Sequence, residues 1–439
     1  MLRRPFALFF ILFFSFTLIF FTGCRFNKKS VESEQSQDWR GVITLWDFPR
    51  WRDKNGDRFG WIKAKISEFE KNHPGVFIDL RRLKWEYGFI ELRAAAAAGT
   101  PPDIAPVGAD FDFISAGYLE PLDDFIKPED MAKYDKRAAE AVSYQGQIYG
   151  FPWFITTHAL FLNKETFSAK KVALPENGTW SYDEFIDALQ KLTFNNRQNS
   201  KTDHYGFNLF LSPGNFTAWP FLTVDGANIF DENGNFVLNC PEGISALSRL
   251  ADLAAKYKVV PIEDYGTMEE NKVWGDFAEK RRIAVYPAGP WAIKVLEEIK
   301  NSGKGFDFDV VRYPSGQKQP RTFAIVSAYG IFRQQDVAKK KVCAEFLSQI
   351  TSEKEQRCLY QYGVFPAIIA ARQKNDEGQL IKKMEEMVED AHILPKVKNL
   401  SRKDEILTSQ IRMALLAKKT PAQALEDAAV EIEKLSASE

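Results

Sequence analysis

The chain has 439 residues, with 58 Lys and Arg against 59 Asp and Glu, so its formal net charge is −1. This length predicts two or three domains, and the near-neutral balance argues against nucleic acid as a partner, because phosphates require a clustered basic face. The 4 cysteines are too few for a disulfide scaffold and the 4 histidines lie far apart, so the composition predicts no metal site and no cofactor. Aromatic residues make up 14% of the chain, an excess that the function must explain.

The N-terminal residues have the organisation of an export signal. A basic start precedes an apolar run at residues 5–21, and a polar stretch at residues 25–38 follows Cys24. Basic, apolar and small-residue regions in this order are typical of a cleaved signal peptide. The alternative is a short transmembrane anchor, because the apolar run reaches the lower limit of the length that spans a bilayer.

The residues around Cys24 resemble a bacterial lipoprotein signal, in which a small residue precedes the modified cysteine. Phe21 departs from that motif, which usually has Leu at this position. The resemblance implies that residues 1–23 are removed and that Cys24 carries lipid, with residues 24–38 as a flexible tether. Since two acyl chains hold a domain stably on a membrane, the mature protein is predicted to be exported and anchored to the outer face of the cell membrane.

Strands and helices alternate regularly after the tether. Apolar periodicity predicts strands at 42–45, 76–80 and 104–107 and helices at 61–71 and 89–98. This β-α-β-α-β order predicts a parallel sheet covered by helices on both faces.

A second α/β unit follows Pro152. The apolar segment at 153–162 is too continuous for a half-buried edge and predicts a strand that crosses between two sheets. Ser181 and Glu184 form the pattern of a capping box at the start of a helix. Further helices are predicted at 242–256, 274–280 and 290–300, and further strands at 205–210, 283–286 and 309–312.

The last part of the chain returns to the first sheet and then becomes helical. Residues 322–332 predict a return crossing, and helices are predicted at 337–350, 352–360, 381–388, 404–417 and 422–435. The whole pattern predicts two α/β lobes, each a sheet flanked by helices, joined by crossing segments. Bending between the lobes is predicted near Pro152 and Arg321.

Several segments, taken in order, resemble the family 1 extracellular solute-binding proteins of bacterial ABC importers, a group that includes maltose-binding proteins. The segments are VITLWDF at 42–48, FEKNHPGVFID at 69–79, AAAAGTPPDIAP at 95–106, YLEPL at 118–122, GFPWFITTHALFLNK at 150–164, 180–192, FTAWPFLTVDG at 216–226, KRRIAVYPAGPW at 280–291, AEFLSQIT at 344–351 and TPAQALEDAA at 420–429. Their order and spacing are specific, although no single segment is diagnostic.

This resemblance implies a two-lobed, type II periplasmic-binding-protein-like fold. The lobes are expected to comprise residues 39–153 plus 321–371 and residues 154–320 plus 372–439. The implied function is capture of a mono- or oligosaccharide in the cleft and delivery to the membrane permease. The expected protein is a monomer without enzymatic activity, whose partners are the sugar, the permease subunits and the membrane that holds its lipid.

Sugars present C–H faces to aromatic rings and hydroxyl groups to carboxylates, so a sugar site needs both residue types at one place. Trp46 and Asp47 end the first predicted strand, and Asp110 and Phe111 follow the third. Ligands bind beyond the ends of the strands in open α/β sheets, which makes these four residues candidates. The alternatives are that Asp110 caps a helix and that Asp47 has a structural role.

Other candidates come from the second lobe and the crossings. Trp291 follows a predicted strand and opens a helix, and the resemblance implies that it stacks on a sugar ring. The resemblance also places Phe216 and Trp219 at a stacking position, while Trp153 stands at the crossing and Phe365 on a turn. The family's carboxylate on the crossing falls at Thr156, which implies a sugar other than maltose. Taken alone, aromatic residues such as Trp153, Phe216 and Trp219 are more often part of the core.

Competing interpretations remain open. Asp47 with Asp110 could form the acid–base pair of a surface-anchored glycoside hydrolase, but the sequence contains none of the common hydrolase or nucleotide-binding motifs. A sugar sensor or adhesin that imports nothing is a third class. A calcium loop beginning at Asp53 is disfavoured, because Arg58 stands where the loop needs glycine.

Cys240, Cys343 and Cys358 would remain after removal of the leader. Three thiols outside the cytoplasm allow at most one disulfide. The preferred interpretation is three buried thiols, because free cysteine behaves as a small apolar residue.

Overall fold

A computed structural model of the protein describes residues 39–437 except 86, 109, 196–201, 268 and 373–377. The predicted leader, Cys24 and the tether lie outside these residues. The strands in the described part are β1 (Gly41–Asp47), β2 (Val76–Arg82), β3 (Ile104–Pro106), β4 (Ser143–Tyr144), β5 (Gln147–Ile148), β6 (Phe151–Thr156), β7 (Ala159–Asn163), β8 (Tyr205–Phe207), β9 (Ile283–Ala288), β10 (Phe308–Val311), β11 (Phe323–Ile331), β12 (Phe365–Pro366) and β13 (His392–Ile393).

Helices connect most of these strands and form the C-terminal part of the chain. They are α1 (Gly60–Asn72), α2 (Gly88–Ala97), α3 (Phe111–Ser115), α4 (Pro128–Met131), α5 (Lys136–Ala141), α6 (Lys164–Ala169), α7 (Tyr182–Lys191), α8 (Trp219–Leu222), α9 (Pro241–Ala255), α10 (Glu270–Ala278), α11 (Trp291–Asn301), α12 (Val337–Ile350), α13 (Glu353–Gln356), α14 (Gln379–Glu389), α15 (Leu400–Leu415) and α16 (Pro421–Ala437). Short 3₁₀ turns in the described residues lie at Ile262–Gly266, Leu359–Tyr362 and Ile369–Ala371.

Local sequence signals located most helix starts correctly. The capping box at α7 is confirmed: the Ser181 hydroxyl accepts from the N–H of Glu184, and the Glu184 carboxylate accepts from the N–H of Ser181. The continuous helix predicted at 352–360 is wrong, because α13 stops at Gln356 and a 3₁₀ turn follows. The Gln356 side chain instead donates to the carbonyl groups of Pro152 and Thr351, which ties this corner to β6.

The first sheet has the strand order β12–β6–β11–β3–β1–β2, with β13 paired to β11. β1 runs parallel to both β2 and β3, as the alternation of strands and helices predicts. β11 runs antiparallel to β3 and to β6, so the prediction of a wholly parallel sheet is wrong. The reason is connectivity: β11 enters from the second sheet and β6 leaves toward it, so neither is joined to its neighbour by a crossover helix.

The second sheet has the order β10–β7–β9–β8, in which β8 and β9 are parallel. The chain passes from the first sheet to the second across Thr157 and His158, and returns through the connection that contains Arg321. The predicted crossing strand at 153–162 is therefore two strands. Pro152 and the predicted boundary after residue 153 both fall inside β6, which pairs with β11 along its length.

Helices cover both faces of each sheet. Alternating side chains show this directly: Leu160 and Leu162 of β7 face one core, and Ala159 and Phe161 face another. Helices α7, α9, α15 and α16 contribute to the first of these cores, and α10, α11 and α14 to the second. In the first sheet, α1 and α12 lie on one face and α2 and α3 on the other. The prediction of two α/β lobes is confirmed.

The three described cysteines are free thiols in different environments. Cys343 is buried in α12, Cys240 is partly buried, and Cys358 is exposed. The prediction of three buried thiols is therefore confirmed for Cys343, holds only in part for Cys240 and is wrong for Cys358, which follows α13 at the surface. No helix among residues 39–437, outside the undescribed positions, has both the length and the apolar character needed to cross a membrane.

Candidate functional site

The parallel strands of each sheet end on an edge that carries polar and aromatic side chains. At the edge of the first sheet, β1 ends at Asp47, Trp85 follows β2, and Asp110 follows β3. At the edge of the second sheet, Phe216 follows β8 and Trp291 follows β9. Because ligands bind beyond the carboxyl ends of strands in such sheets, these two edges are the candidate binding surfaces.

The two edges meet at Gly363. Trp51, which follows β1, stacks on Tyr362 with ring centroids 3.6 Å apart. The next residue, Gly363, lies so close to the start of α11 that a Cβ atom on it would stand 2.7 Å from the Pro290 carbonyl oxygen and 3.2 Å from the Trp291 Cα. This approach, which we call the Gly363 contact, brings the segment that follows β1, through Trp51 and Tyr362, against the segment that follows β9.

A second meeting point is formed by Asp112 in α3, beyond the end of β3. Its carboxylate accepts from the backbone N–H of Leu400 at 3.1 Å, from that of Ser401 at 3.3 Å and from the Ser401 hydroxyl at 2.9 Å. Leu400 and Ser401 begin α15, whose buried residues pack in a core of the second sheet. A carboxylate at a helix N-terminus satisfies free N–H groups and is favoured by the helix dipole.

Trp291 is the candidate that the structure leaves most accessible, with 40% of its surface exposed. It is the first residue of α11, and its ring lies 5.0 Å from that of Trp274. The indole folds back over Gly289, where a Cβ atom would stand 2.9 Å from the Trp291 Cδ1. Glycine at position 289 therefore permits this orientation, and the Trp291 Cα lies at the Gly363 contact.

Asp47 lies at the predicted edge, but its side chain is not accessible to a ligand in this conformation. It is completely buried; its carboxylate accepts from Arg50 Nη2 at 2.9 Å, from the Phe48 N–H at 2.8 Å and from the Tyr329 hydroxyl at 3.1 Å. Burial raises the pKa of Asp47, and the Arg50 charge opposes that rise. These contacts favour a structural role for Asp47 over direct contact with a ligand.

Asp110 is the N-cap of α3, which is the structural role that the sequence left open for it. One carboxylate oxygen accepts from the Asp112 N–H at 3.1 Å, and the other from Arg93 Nη1 at 2.8 Å. Burial, together with the negative charge of Asp112, raises the pKa of Asp110 to about 6. Phe111 beside it is buried against Tyr144, and the half-buried ring of Trp46 lies 4.0 Å from the Arg81 guanidinium carbon.

Four other predicted residues differ in exposure. Trp153 and Phe365 are completely buried, and Trp153 stacks on Trp61 with centroids 4.9 Å apart. Both are core residues in this conformation, because Trp153 packs in the core with α1 and α12 and Phe365 packs in the core with α10, α11 and α14. Trp219 is also buried, whereas Phe216 is only partly buried and adopts a left-handed backbone conformation with φ +53°. Phe216 packs edge-on against Trp219 and keeps an accessible surface.

Trp219 is held by a buried carboxylate of α15. Asp404 accepts from Trp219 Nε1 at 3.0 Å and from the Gly214 N–H at 2.6 Å. Burial raises the pKa of Asp404 to about 6 from an ordinary value of 3.8. The hydrogen bonds that begin at Asp112 and end at Trp219 therefore connect the edge of the first sheet, through α15, to that of the second.

We expect the Asp404 carboxyl to make stability depend on pH. Its folded-state pKa lies above the unfolded value, so its stabilising contribution is fully present below pH 3.8 and is lost as the pH rises through about 6. Over this pH range, the free energy of unfolding of Asp404→Asn should fall by on the order of 3 kcal/mol less than that of wild type. Urea unfolding of both proteins at pH 4 and pH 7.5 measures the effect, and identical pH dependence would contradict it.

The sequence interpretation missed Trp85, Arg50 and Tyr362. Trp85 was detectable, because it follows a predicted strand just as Asp47 and Asp110 do. Arg50 and Tyr362 carried no such signal, since their positions depend on contacts distant in sequence. Among the described residues, no group of three or more His, Cys, Asp or Glu side chains is arranged to hold a metal ion. The predicted lipid site at Cys24 lies outside those residues.

Comparison with known proteins is consistent with this geometry. The family model of the bacterial extracellular solute-binding proteins matches residues 64–388, which is more than half of the chain. An ABC substrate-binding protein from Listeria monocytogenes, solved in complex with cycloalternan, superposes with a TM-score of 0.75 at 20% identity and covers 91% of this chain and 99% of its own. This likeness confirms the two-lobed fold.

Curated relatives are similar over different lengths. The maltotriose-binding protein of Pyrococcus abyssi is 26% identical over 234 residues, which is 51% of this chain and 44% of that protein. The match therefore spans less than half the length of that relative. The galactooligosaccharide-binding protein of Bacillus subtilis is 23% identical over 395 residues and covers 86% of this chain and 87% of its own length.

Proposed function

Because the chain belongs to the bacterial extracellular solute-binding protein family, we propose that it captures a mono- or oligosaccharide between its two lobes and delivers it to an ABC permease. The observation that carries the sugar assignment is Trp291, an exposed indole fixed at the meeting point of the two strand edges. An aromatic face in this position suits the C–H face of a sugar ring. Relatives whose names refer to maltotriose and galactooligosaccharides support the same ligand class.

The carboxylates at the two strand edges favour an uncharged ligand. Three carboxylates near the two edges, Asp47, Asp110 and Asp404, already accept hydrogen bonds from protein donors. Each has a raised pKa because burial disfavours its charged form. Because Asp47 is paired with Arg50 and Asp110 with Arg93, these carboxylates leave no free charge that would favour an ionic ligand over a neutral sugar. The chain's formal net charge of −1 agrees with this preference.

The hydrolase alternative is disfavoured by the state of Asp47. A glycosidase needs two carboxyl groups that reach the same bond, one of them able to give or take a proton. Asp47 is completely buried and bound by Arg50 and Tyr329, so it cannot approach a glycosidic oxygen without breaking that network. The family and the similar structures are binding proteins. We therefore propose that the protein has no enzymatic activity.

The remaining assignments concern location and assembly. The family acts outside the cytoplasm, and we propose that a lipid on Cys24 holds this member on the membrane as a monomer. Lobes of 39–153 plus 321–371 and 154–320 plus 372–439 account for the packing of α15 and α16 with α9 of the second sheet. The sheet-to-sheet passage at Thr157 and His158 moves one of these boundaries by a few residues. Closure around the sugar would then create the form that the permease recognises.

A fluorescence titration tests the proposed function. The mature protein is titrated with glucose, galactose and arabinose and with their di- and trisaccharides, while the products are analysed in parallel. Saturable quenching of tryptophan emission with intact sugar supports the proposal. Cleavage of the sugar would favour the hydrolase, and absence of binding to every neutral sugar would contradict the ligand class.

Trp291→Ala should weaken sugar binding by about tenfold or more, which corresponds to roughly 1.4 kcal/mol. The physical reason is loss of the aromatic face, and the exposure of Trp291 means that folding should survive. Isothermal titration with the best sugar of the panel measures the change. Trp291→Phe keeps a stacking face and should recover part of the affinity. Unchanged affinity in Trp291→Ala would remove this residue from the site.

A further inference from the structure

We propose that Trp85 is a second sugar-stacking platform, on the edge of the first sheet, and that the ligand is therefore an oligosaccharide rather than a single sugar. This inference rests on the proposed function and extends it to the size of the substrate. Trp85 is 47% exposed although it is one of the largest apolar side chains in the chain. It stands beyond β2, on the same strand edge as Asp47 and Asp110.

The indole of Trp85 is held in place by the protein. It stacks on Phe48 with centroids 4.4 Å apart and an interplanar angle of 17°, and its Nε1 donates to the Pro49 carbonyl at 3.0 Å. The Arg50 guanidinium, which is itself buried, lies 5.6 Å from the ring centroid. Glycine at position 88 makes room for this arrangement, since a Cβ atom there would stand 2.5 Å from the Phe48 ring.

These contacts determine what Trp85 can still bind. Phe48 covers one face of the ring, and 47% of the residue nevertheless remains exposed. Its single hydrogen-bond donor is already used by Pro49. The ring therefore offers an oriented aromatic surface that needs no further hydrogen bond. Such a surface matches the C–H face of a sugar. Since the ring is fixed before binding, little side-chain entropy is lost when a ligand stacks on it.

Trp85 and Trp291 belong to different parts of the site. In the described part of the chain, the rings in contact with Trp85 are Phe48 and Phe89, whereas Trp291 contacts Trp274 and lies beside Gly363. A series of contacts leads from Trp85 through Arg50, Trp153, Trp51 and Tyr362 to the Gly363 contact. The two aromatic rings are held by different sheets, so each would stack on a different sugar ring of the same oligosaccharide.

The test compares chain lengths. Wild type, Trp85→Ala and Trp291→Ala are titrated with the mono-, di- and trisaccharide of whichever series the wild type binds: glucose, maltose and maltotriose, or the corresponding galactose or arabinose series. We expect Trp85→Ala to weaken trisaccharide binding by about tenfold and to leave monosaccharide binding within about twofold of wild type. Trp291→Ala should weaken both.

Control variants separate binding from folding. Phe77→Ala removes a 59% exposed aromatic from the N-terminal end of β2, the strand that Trp85 follows, and should change no affinity. Trp85→Phe keeps a ring against Phe48 and should restore part of the trisaccharide affinity. If Trp85→Ala leaves trisaccharide binding unchanged, or weakens monosaccharide binding equally, this inference is overturned while the proposed function stands. If wild type binds none of the sugars, the proposed function fails first.

Discussion

Replacing Asp47 by alanine should lower the free energy of unfolding by roughly 3–5 kcal/mol, because it leaves a buried guanidinium without its counter-ion. Arg50 is 7% exposed, and its Nε has no hydrogen-bond partner among the described residues even with Asp47 present. The same substitution deprives the Tyr329 hydroxyl of its acceptor. Urea unfolding of Asp47→Ala and wild type at pH 7.5 measures the loss.

Two further variants show whether the buried charge is the cause. Asp47→Ala combined with Arg50→Met removes both charges and should recover much of the stability, because an apolar pair avoids the desolvation penalty. Asp307→Ala breaks the exposed pair with Lys300 and should have little effect. If Asp47→Ala were as stable as wild type but failed to bind sugar, Asp47 would be a ligand contact and the structural interpretation would be wrong.

The network around Asp47 also connects structure with function. Arg50 lies 5.0 Å from the Trp153 ring centroid and 5.6 Å from that of Trp85. The buried ion pair therefore supports a buried ring on one side and an exposed ring on the other. Loss of Asp47 should disturb Trp85 as well as the core, so sugar affinity in that variant is interpretable only beside the Trp85 variants.

Local patterns were sufficient to predict most of the fold. The helices α1, α9 and α12 and the strands β1, β2 and β11 lie within a few residues of their predicted positions, because each has a periodic apolar face. The antiparallel direction of β11 was not predictable from its own residues. It depends on which sheet the preceding strand belongs to, and that information lies in the connection through Arg321 rather than in the strand.

The candidate site was harder to predict for a related reason. Trp153, Trp219 and Trp291 look alike in the sequence, since all three are tryptophans near predicted strand ends. The structure leaves only Trp291 exposed, because α15 covers Trp219 and the aromatic residues around Trp61 cover Trp153. Whether an aromatic side chain is core or platform is decided by elements far along the chain, so strand-end position alone did not separate the two.

Replacing Gly363 by alanine should weaken sugar binding by between about tenfold and a hundredfold. The added Cβ would stand 2.7 Å from the Pro290 carbonyl oxygen, a backbone atom that cannot move aside as a flexible side chain would. Gly363 precedes β12 of the first sheet, whereas Pro290 follows β9 of the second. The methyl group should therefore act as a wedge that stops the two strand edges from approaching and shifts the equilibrium toward an open cleft.

A matched glycine isolates the wedge from backbone strain. Gly303 has φ +77°, close to the +72° of Gly363, but a Cβ atom there would meet nothing within 4 Å. Gly303→Ala should thus show the strain of a left-handed alanine without any loss of affinity. Calorimetric titration and small-angle scattering with and without sugar would follow binding and closure in both variants. If Gly363→Ala bound sugar normally and lost only stability, the Gly363 contact would be permanent packing between the lobes rather than part of closure.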